Sequence, residues 1–136
     1  MKTIPKRLLL FALIAGVTAP ASAAVRIGGE SFFVNGQLDR SHQYAGPCPV
    51  TLKFDWGVIA DQPTVVNYTF VRSDGGHSTQ VRTLDLPQPN RSHPIVDEWR
   101  LGANTPQFQN YAGWVELVIN APNPMTKKIG FVLHCQ

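Results

Sequence analysis

The sequence predicts an all-β protein, an immunoglobulin-like sandwich in which two antiparallel sheets pack face to face. Two observations predict this fold class. Apolar residues recur at every second position through most of the chain, which is the period of a half-buried strand. Gly and Pro number 11 each and charged residues make up only 15% of the chain, a composition typical of short strands joined by tight turns. We expect about seven strands and one disulfide in a single domain, residues 24–136.

The first 23 residues have the three parts of a secretory signal peptide, namely a basic start, an apolar run and a small-x-small cleavage site. These parts are Lys2, Lys6 and Arg7, then Leu8 to Val17, then Ala21-Ser22-Ala23. The apolar run is too short to cross a bilayer, which needs about 20 residues. We therefore expect cleavage before Ala24 and a secreted or periplasmic mature chain that does not stay in the membrane.

Removal of this leader changes the charge balance. The chain has 12 basic and 9 acidic residues, and the leader holds three of the basic ones and none of the acidic ones, so nine of each are left. Nucleic-acid binding needs clustered Lys and Arg that displace counterions. The mature chain has no basic run longer than Lys127-Lys128. Nucleic acid and membrane surfaces are therefore not expected as partners.

The two cysteines lie beyond the leader and have only each other to pair with. In an oxidising compartment outside the cytoplasm, Cys48 and Cys135 are expected to form a disulfide. On the chain-entropy model, closing so long a loop destabilises the unfolded state by about 4 to 5 kcal/mol. A metal or redox pair is the alternative, and it would need CxxC spacing or neighbouring histidines.

The first half of the mature chain predicts four strands with turns between them. They are Ser31–Val34, a strand after Cys48 with Val50, Leu52, Phe54 and Trp56 on one face, Thr64–Arg72, and Ser78–Leu86. The turn Ser73-Asp74-Gly75-Gly76 contains Asp-Gly, a pair that tolerates the positive φ of a tight hairpin. Ser78–Leu86 should therefore run back beside Thr64–Arg72.

The second half predicts three more strands, separated by proline-containing turns. Two prolines in Leu86-Pro-Gln-Pro-Asn90 remove backbone donors and so exclude a central strand there. The strands are Ile95–Leu101 with Trp99 facing inward, Gly113–Asn120 with Val115, Leu117 and Ile119 facing inward, and Ile129–Cys135. Gly102–Asn110 is a polar connection, and Ala121-Pro-Asn-Pro124 turns the chain into the last strand.

Several short motifs resemble those of a group of small secreted, mostly bacterial, immunoglobulin-like domains. They are GPCP at Gly46–Pro49, YTFVRSDG at Tyr68–Gly75, WRLG at Trp99–Gly102, GWVEL at Gly113–Leu117, and the closing Gly130–Cys135. The resemblance covers most of the mature chain, leaves out Ala24–Gln43 and departs mildly at Gly130. It implies the fold and the location. That group has no agreed activity, so the resemblance implies no mechanism.

The histidines do not form a recognisable metal or catalytic motif. His42, His77, His93 and His134 all lie outside HExxH, HxH and CxxC contexts. Ser73, Asp74 and His77 resemble a catalytic triad only superficially, because all three belong to one hairpin tip and no GxSxG elbow accompanies them. Turn chemistry accounts for these residues better.

Carboxylates offer the remaining route to catalysis. Asp97, Glu98 and Glu116 could supply the carboxylate pair of a glycoside hydrolase. Glu98 and Glu116, however, alternate with core residues, as solvent-facing charges on a strand do. We therefore expect no enzyme, no cofactor and no metal, and keep a small secreted hydrolase as an alternative.

Two aromatic residues are better functional candidates. Trp114 shares a strand face with Glu116, opposite the inward-facing residues, and with Tyr111 it would form an exposed platform for a sugar or a partner protein. The structural alternative is that Trp114 covers one sheet, or packs against Trp99 or the N-terminal segment.

Loops at the ends of the sandwich give a second candidate surface, because a loop can vary without disturbing the sheets. Its residues are Arg72, Asp74 and His77 at the hairpin tip, together with the Gly102–Asn110 connection. The sequence thus predicts a non-catalytic binding module for an extracytoplasmic protein. A carbohydrate-binding module is the alternative, and it requires coplanar exposed aromatic rings on one face.

Overall fold

A computed structural model describes residues 15–16, 22–78, 80–103 and 106–136. The expected signal peptide covers residues 1–23, and nearly all of these lie outside the described residues. In the described ranges, no helix is both long enough and apolar enough to span a membrane.

Nine strands make up most of the described chain. In order they are β1 Val25–Val34, β2 Gln37–Leu38, β3 Gln43–Gly46, β4 Val50–Ala60, β5 Thr64–Arg72, β6 Arg82–Leu86, β7 His93–Leu101, β8 Asn110–Ala121 and β9 Met125–Cys135. A short 3₁₀ helix, Pro106–Phe108, lies between β7 and β8. The two proline turns predicted after Leu86 and Ala121 separate β6 from β7 and β8 from β9.

The strands form two sheets, which confirms the predicted sandwich. One sheet has four strands in the order β2-β1-β4-β7, and the other has five in the order β3-β9-β8-β5-β6. One pair differs from the antiparallel expectation, since β3 runs parallel to β9, with Gly46 opposite Cys135. The chain leaves β3 for the other sheet at Pro47, so β3 is an edge strand beside β9 rather than half of a hairpin.

The core lies between the two sheets and follows the predicted alternation. Every second residue of β4, from Val50 to Ala60, is buried. On β8 the buried residues are Val115, Leu117 and Ile119, as predicted. Trp99 faces inward and is 7% exposed, and its ring meets that of Phe131 edge to face across the core. Because side chains alternate between faces along a strand, the intervening residues of both strands lie on the outer faces.

The predicted disulfide between Cys48 and Cys135 is present, with the Cα atoms 5.4 Å apart. It ties the segment just before β4 in one sheet to the end of β9 in the other. Gly102, at φ +88°, lies against it, and a Cβ there would stand within 3 Å of both sulfur atoms. The sheets are therefore linked covalently at one end of the sandwich.

The structure has two more strands than the seven expected, because residues 25–46 have a weak periodic pattern. β1 begins at Val25 rather than Ser31, and its burial does not alternate regularly. Gly28 and Gly29 interrupt the alternation, and the register with β4 shifts between Ile27 and Gly29, as at a β-bulge. β2 and β3 are too short to show a period at all.

The hairpin after β5 also differs from its prediction. The return strand β6 pairs with β5 as expected but begins at Arg82, not at Ser78. Before that point the described residues make one bridge, Val71 to His77. The Ser78 N–H donates to the Phe70 carbonyl at 3.0 Å, and the Ser78 hydroxyl accepts the Phe70 N–H at 2.9 Å. The end of β5 therefore has no continuous β6 neighbour, and a cleft opens there.

Candidate functional site

Trp114 lies on the outer face of β8, on the five-stranded sheet, and is half-buried. The Lys128 ammonium lies 4.0 Å from the centroid of its ring, a cation–π geometry. Lys128 Nζ is also 4.0 Å from the Glu116 carboxylate. The residue opposite Trp114 on β9 is Gly130, which has no side chain. We call Trp114, Glu116, Lys128 and Gly130 the Trp114 face.

Tyr111 does not belong to this face, so the expected joint platform with Trp114 is wrong. The two residues are three positions apart on one strand and therefore point to opposite sides. The Tyr111 ring packs among core aromatic rings, with centroids 4.9 Å from Phe108 and 6.2 Å from Trp99. Tyr111 is thus an inner aromatic residue at the edge of the core.

Ser73, in the hairpin turn, joins that turn to β8. Its hydroxyl hydrogen-bonds the Tyr111 hydroxyl and accepts the Trp114 N–H at 3.0 Å. Asp74 Oδ1 accepts the Gly76 N–H at 2.8 Å. The Ser73 bonds attach the turn to β8, and the Asp74 bond closes the turn itself. The sequence indicated such a structural role for Ser73, Asp74 and His77.

Arg72 does not project from the hairpin tip as a free loop contact. Its guanidinium donates two hydrogen bonds to the Asp97 carboxylate, from Nε at 3.1 Å and from Nη2 at 3.0 Å. Nη2 also donates to the Glu98 carbonyl at 2.9 Å. The guanidinium carbon stands 5.1 Å from the centroid of the Trp99 ring. Arg72 therefore connects β5 in one sheet to β7 in the other.

The sequence contained a signal for this pair. Asp97 shares the inward-facing alternation of β7 with Trp99, and it is 9% exposed. Because a carboxylate is costly to bury without a partner, an acidic residue in an inward position calls for a cationic partner. The identity of that partner was not readable, because Arg72 is 25 residues away.

A cleft of about 240 Å³ lies beside this ion pair, and we call it the hairpin cleft. Its lining residues are Phe70, Arg72, Gly76, His77, Ser78, Arg82 and Asp97. It includes two of the three residues predicted at the hairpin tip, Arg72 and His77. It adds Arg82, which sequence reasoning missed, and Asp97, which the sequence indicated only as a candidate catalytic carboxylate. Asp74 does not line it.

A larger open hollow, of about 540 Å³, lies next to β2 and β3. Its one carboxylate is that of Asp39, which accepts a hydrogen bond from the Ser41 hydroxyl at 2.6 Å. This bond holds the pKa of Asp39 below its ordinary value, because a hydrogen bond to the carboxylate favours the ionised form. Asp39 is therefore a poor proton donor near neutral pH.

Comparison of the chain with protein-family models, with curated proteins and with solved structures finds no match. In the part of the chain that the structure describes, no three or more His, Cys, Asp and Glu side chains come together as they would around a metal ion. The predicted binding residues Trp114, Arg72 and His77 lie on two surfaces, the Trp114 face and the hairpin cleft.

Proposed function

We propose that this chain is a non-catalytic binding module that recognises an extracytoplasmic protein through the Trp114 face. One observation carries the proposal. Trp114 is a large aromatic side chain on the outer face of a sheet, where the core does not use it. Tryptophan is enriched among the few residues that contribute most of the energy at protein interfaces.

The neighbours of Trp114 suit an interface. Lys128 and Glu116 place one positive and one negative charge beside the ring, and such mixed charges around an apolar centre are typical of interface rims. At Gly130 an added Cβ would meet only the Gly113 carbonyl oxygen, at 3.7 Å. A partner side chain can therefore reach the sheet backbone next to Trp114.

A protein fits this face better than a glycan. Carbohydrate-binding modules stack sugars on bare, coplanar aromatic rings, and here the Lys128 ammonium already occupies one side of the Trp114 ring. Tyr111, the expected second ring, lies on the inner side. One partly covered ring flanked by charges favours a protein surface.

The side-chain bonds of the candidate catalytic groups support a non-catalytic role. A serine nucleophile needs a hydrogen-bonded base, and a base needs an orienting partner. Ser73 instead bonds to Tyr111 and Trp114. Both oxygens of Asp97 accept hydrogen bonds from Arg72, so this carboxylate already serves as the acceptor of a pair that joins the two sheets.

Two features support a location outside the cytoplasm. The Cys48–Cys135 disulfide is the kind of bond that persists in oxidising compartments. The backbone nitrogen of Ala24 lies 2.8 Å from Asp61 Oδ1. Once the leader is cleaved before Ala24, this nitrogen becomes the terminal ammonium, and the Asp61 carboxylate is in place to pair with it.

The test compares Trp114→Ala with the unchanged chain. Each immobilised protein is incubated with the extracytoplasmic fraction of the source cells, and captured proteins are identified by mass spectrometry. We expect Trp114→Ala to lose the partner, because truncating a buried interface anchor costs about 2 kcal/mol or more. Its melting temperature should stay close to that of the unchanged chain, since Trp114 lies outside the core.

Val96→Ala is the matched control, because Val96 is an apolar residue 37% exposed on the other sheet and its removal should leave capture intact. Equal capture by Trp114→Ala and the unchanged chain would contradict the proposal. So would a captured fraction that is polysaccharide rather than protein.

A further inference from the structure

The hairpin cleft is lined by hydrogen-bond donors that have no acceptor within the described chain. Arg82 is exposed on β6 and makes neither a hydrogen bond nor an ion pair with another described residue. Its guanidinium carbon stands 5.6 Å from the centroid of the Phe70 ring. Arg72 bonds Asp97 and Glu98 through Nε and Nη2, and the two N–H groups of its Nη1 have no acceptor among the described residues.

The charges in the cleft do not cancel. The Asp97 carboxylate is paired with Arg72 at 3.0 Å, so these two charges offset each other. Asp74, the acidic residue of the hairpin turn, does not line the cleft, and its Oδ1 accepts the Gly76 N–H. The Arg82 charge is therefore left over, and the cleft has an excess of positive charge and of donors.

We propose that the hairpin cleft binds the carboxylate of an acidic peptide segment from a partner protein. A guanidinium presents a planar fork of donors that matches the two oxygens of a carboxylate. The Asp97 bonds already hold Arg72 in place, so ordering it on binding costs little. Arg82 supplies the uncompensated charge, and the His77 imidazole also lines the cleft.

The volume and the lining of the cleft favour binding of an acidic peptide side chain over binding of a sugar acid. At about 240 Å³ it is smaller than the roughly 300 to 1,000 Å³ of pockets that enclose a whole small molecule. It therefore fits the end of an Asp or Glu side chain that belongs to a longer segment. Phe70 is 3% exposed and Arg82 lies over its ring, so no bare aromatic face is offered for stacking a uronate.

This site is separate from the Trp114 face, and its test does not depend on that face. The probe is an end-blocked hexaglutamate peptide, with hexaglutamine as the uncharged comparison. Binding is measured by calorimetry at low salt, and the contacted residues are located by NMR amide shifts. We expect hexaglutamate to bind and to shift amides in the 70–82 hairpin, and hexaglutamine not to bind.

The deciding variant is Arg82→Gln, which removes the charge and keeps a polar side chain on an exposed position. We expect it to weaken hexaglutamate binding about tenfold or more, because a hydrogen bond between two charged groups contributes that much. Arg82→Lys keeps the charge but lacks the planar fork of donors. Its affinity for hexaglutamate should lie between those of the unchanged chain and Arg82→Gln. Arg40→Gln, an equal charge change at another exposed site, is the control and should bind like the unchanged chain.

Three outcomes would overturn the proposal. Equal weakening by Arg82→Gln and Arg40→Gln would show attraction to overall charge rather than a site. Amide shifts that leave out both the 70–82 hairpin and the neighbourhood of Asp97, which also lines the cleft, would place the peptide elsewhere. Tighter binding of tetragalacturonate than of hexaglutamate, lost in Arg82→Gln, would assign the cleft to an acidic glycan and reject a peptide occupant.

Discussion

At the residue scale, the ion pair between Arg72 and Asp97 joins the two sheets. It is a two-bond pair between strands of different sheets, with side chains 30% and 10% exposed. A carboxylate facing the core loses its hydration, and Arg72 replaces that water with two donors. The same contact holds Arg72 at the wall of the hairpin cleft, so one pair serves both the packing and the proposed site.

Asp97→Ala should lower the free energy of unfolding by about 2 kcal/mol. Removing one partner of a fully buried pair costs about 3 to 5 kcal/mol because the other charge stays buried. Arg72 is partly exposed, so water recovers part of this loss. Urea unfolding of Asp97→Ala against Glu98→Ala measures the effect, since Glu98 is the exposed neighbour on the same strand.

The double variant Arg72→Met with Asp97→Leu separates the two causes of that loss. Because it removes both charges, it should recover much of the stability that Asp97→Ala loses. If the double variant is as unstable as Asp97→Ala alone, the loss comes from packing and not from an unpaired charge.

At the element scale, the paired strands β8 and β9 have little space on the inner side of their sheet and open space on the outer side. Gly113 lies on the inner side, where a Cβ would collide with the Tyr111 ring and stand 2.8 Å from Ser73 Oγ and 2.9 Å from Phe131. Gly130, on the neighbouring strand β9, has open space on the outer side. Position 113 therefore requires glycine, because any side chain would displace the Tyr111 ring and Ser73 of the hairpin turn.

Gly113→Ala should destabilise the fold by about 1 to 3 kcal/mol, because the added methyl forces ring and turn apart. Gly130→Ala is the matched control, one strand away, and should leave stability unchanged or slightly raised, since glycine is a poor strand former. Thermal unfolding of both variants measures this, and equal melting temperatures would contradict the assigned packing of Tyr111.

The edge strand β7 shows how the sheet end is protected. β7 ends the four-stranded sheet, and an unpaired edge can recruit strands from other molecules. Pro94 removes one backbone donor from this strand, which is tolerated at an edge. Arg72 Nη2 donates to the Glu98 carbonyl and so occupies one acceptor of the strand. Both features disfavour uncontrolled strand pairing at this edge.

At the scale of the whole molecule, one covalent bond closes the sandwich. The disulfide links residues 87 positions apart and sits where β3, β9 and the end of β7 meet. The same end of the molecule contains Gly102, whose backbone lies against the bond. Separation of the sheets at this end therefore requires the disulfide to break.

Reduction of the disulfide should lower the free energy of unfolding by about 4 kcal/mol, because the reduced unfolded chain regains the freedom of a long loop. That is a large share of the roughly 5 to 15 kcal/mol typical of a domain. Denaturant unfolding with and without a thiol reductant measures the difference, with Cys48→Ser plus Cys135→Ser as the reductant-free control. Coincident unfolding curves would refute this expectation.

Features that depend on near neighbours along the chain could be predicted from the sequence. Strand positions, inward faces and turns follow from side chains alternating between faces and from Gly and Pro geometry. They were predicted for β4, β5, β7, β8 and β9. The disulfide followed as well, because each cysteine had one possible partner. Segment 25–46 was the exception. The bulge in β1 interrupts the alternation, and β2 and β3 are too short to show it.

Most contacts between residues of different strands could not be predicted, because they depend on how the two sheets pack. Arg72 and Asp97 are 25 residues apart, and their pairing depends on how the two sheets pack. The pairing of β6 with β5 starts only at Arg82, and this late start creates the hairpin cleft. The alternation of side chains along β8 places Tyr111 and Trp114 on opposite faces. The contact of Tyr111 with Phe108 depends on where the connection between β7 and β8 lies, which the pattern does not indicate. Sheet packing sets the contacts between distant residues, and the alternation within a strand does not indicate which residues of another strand they meet.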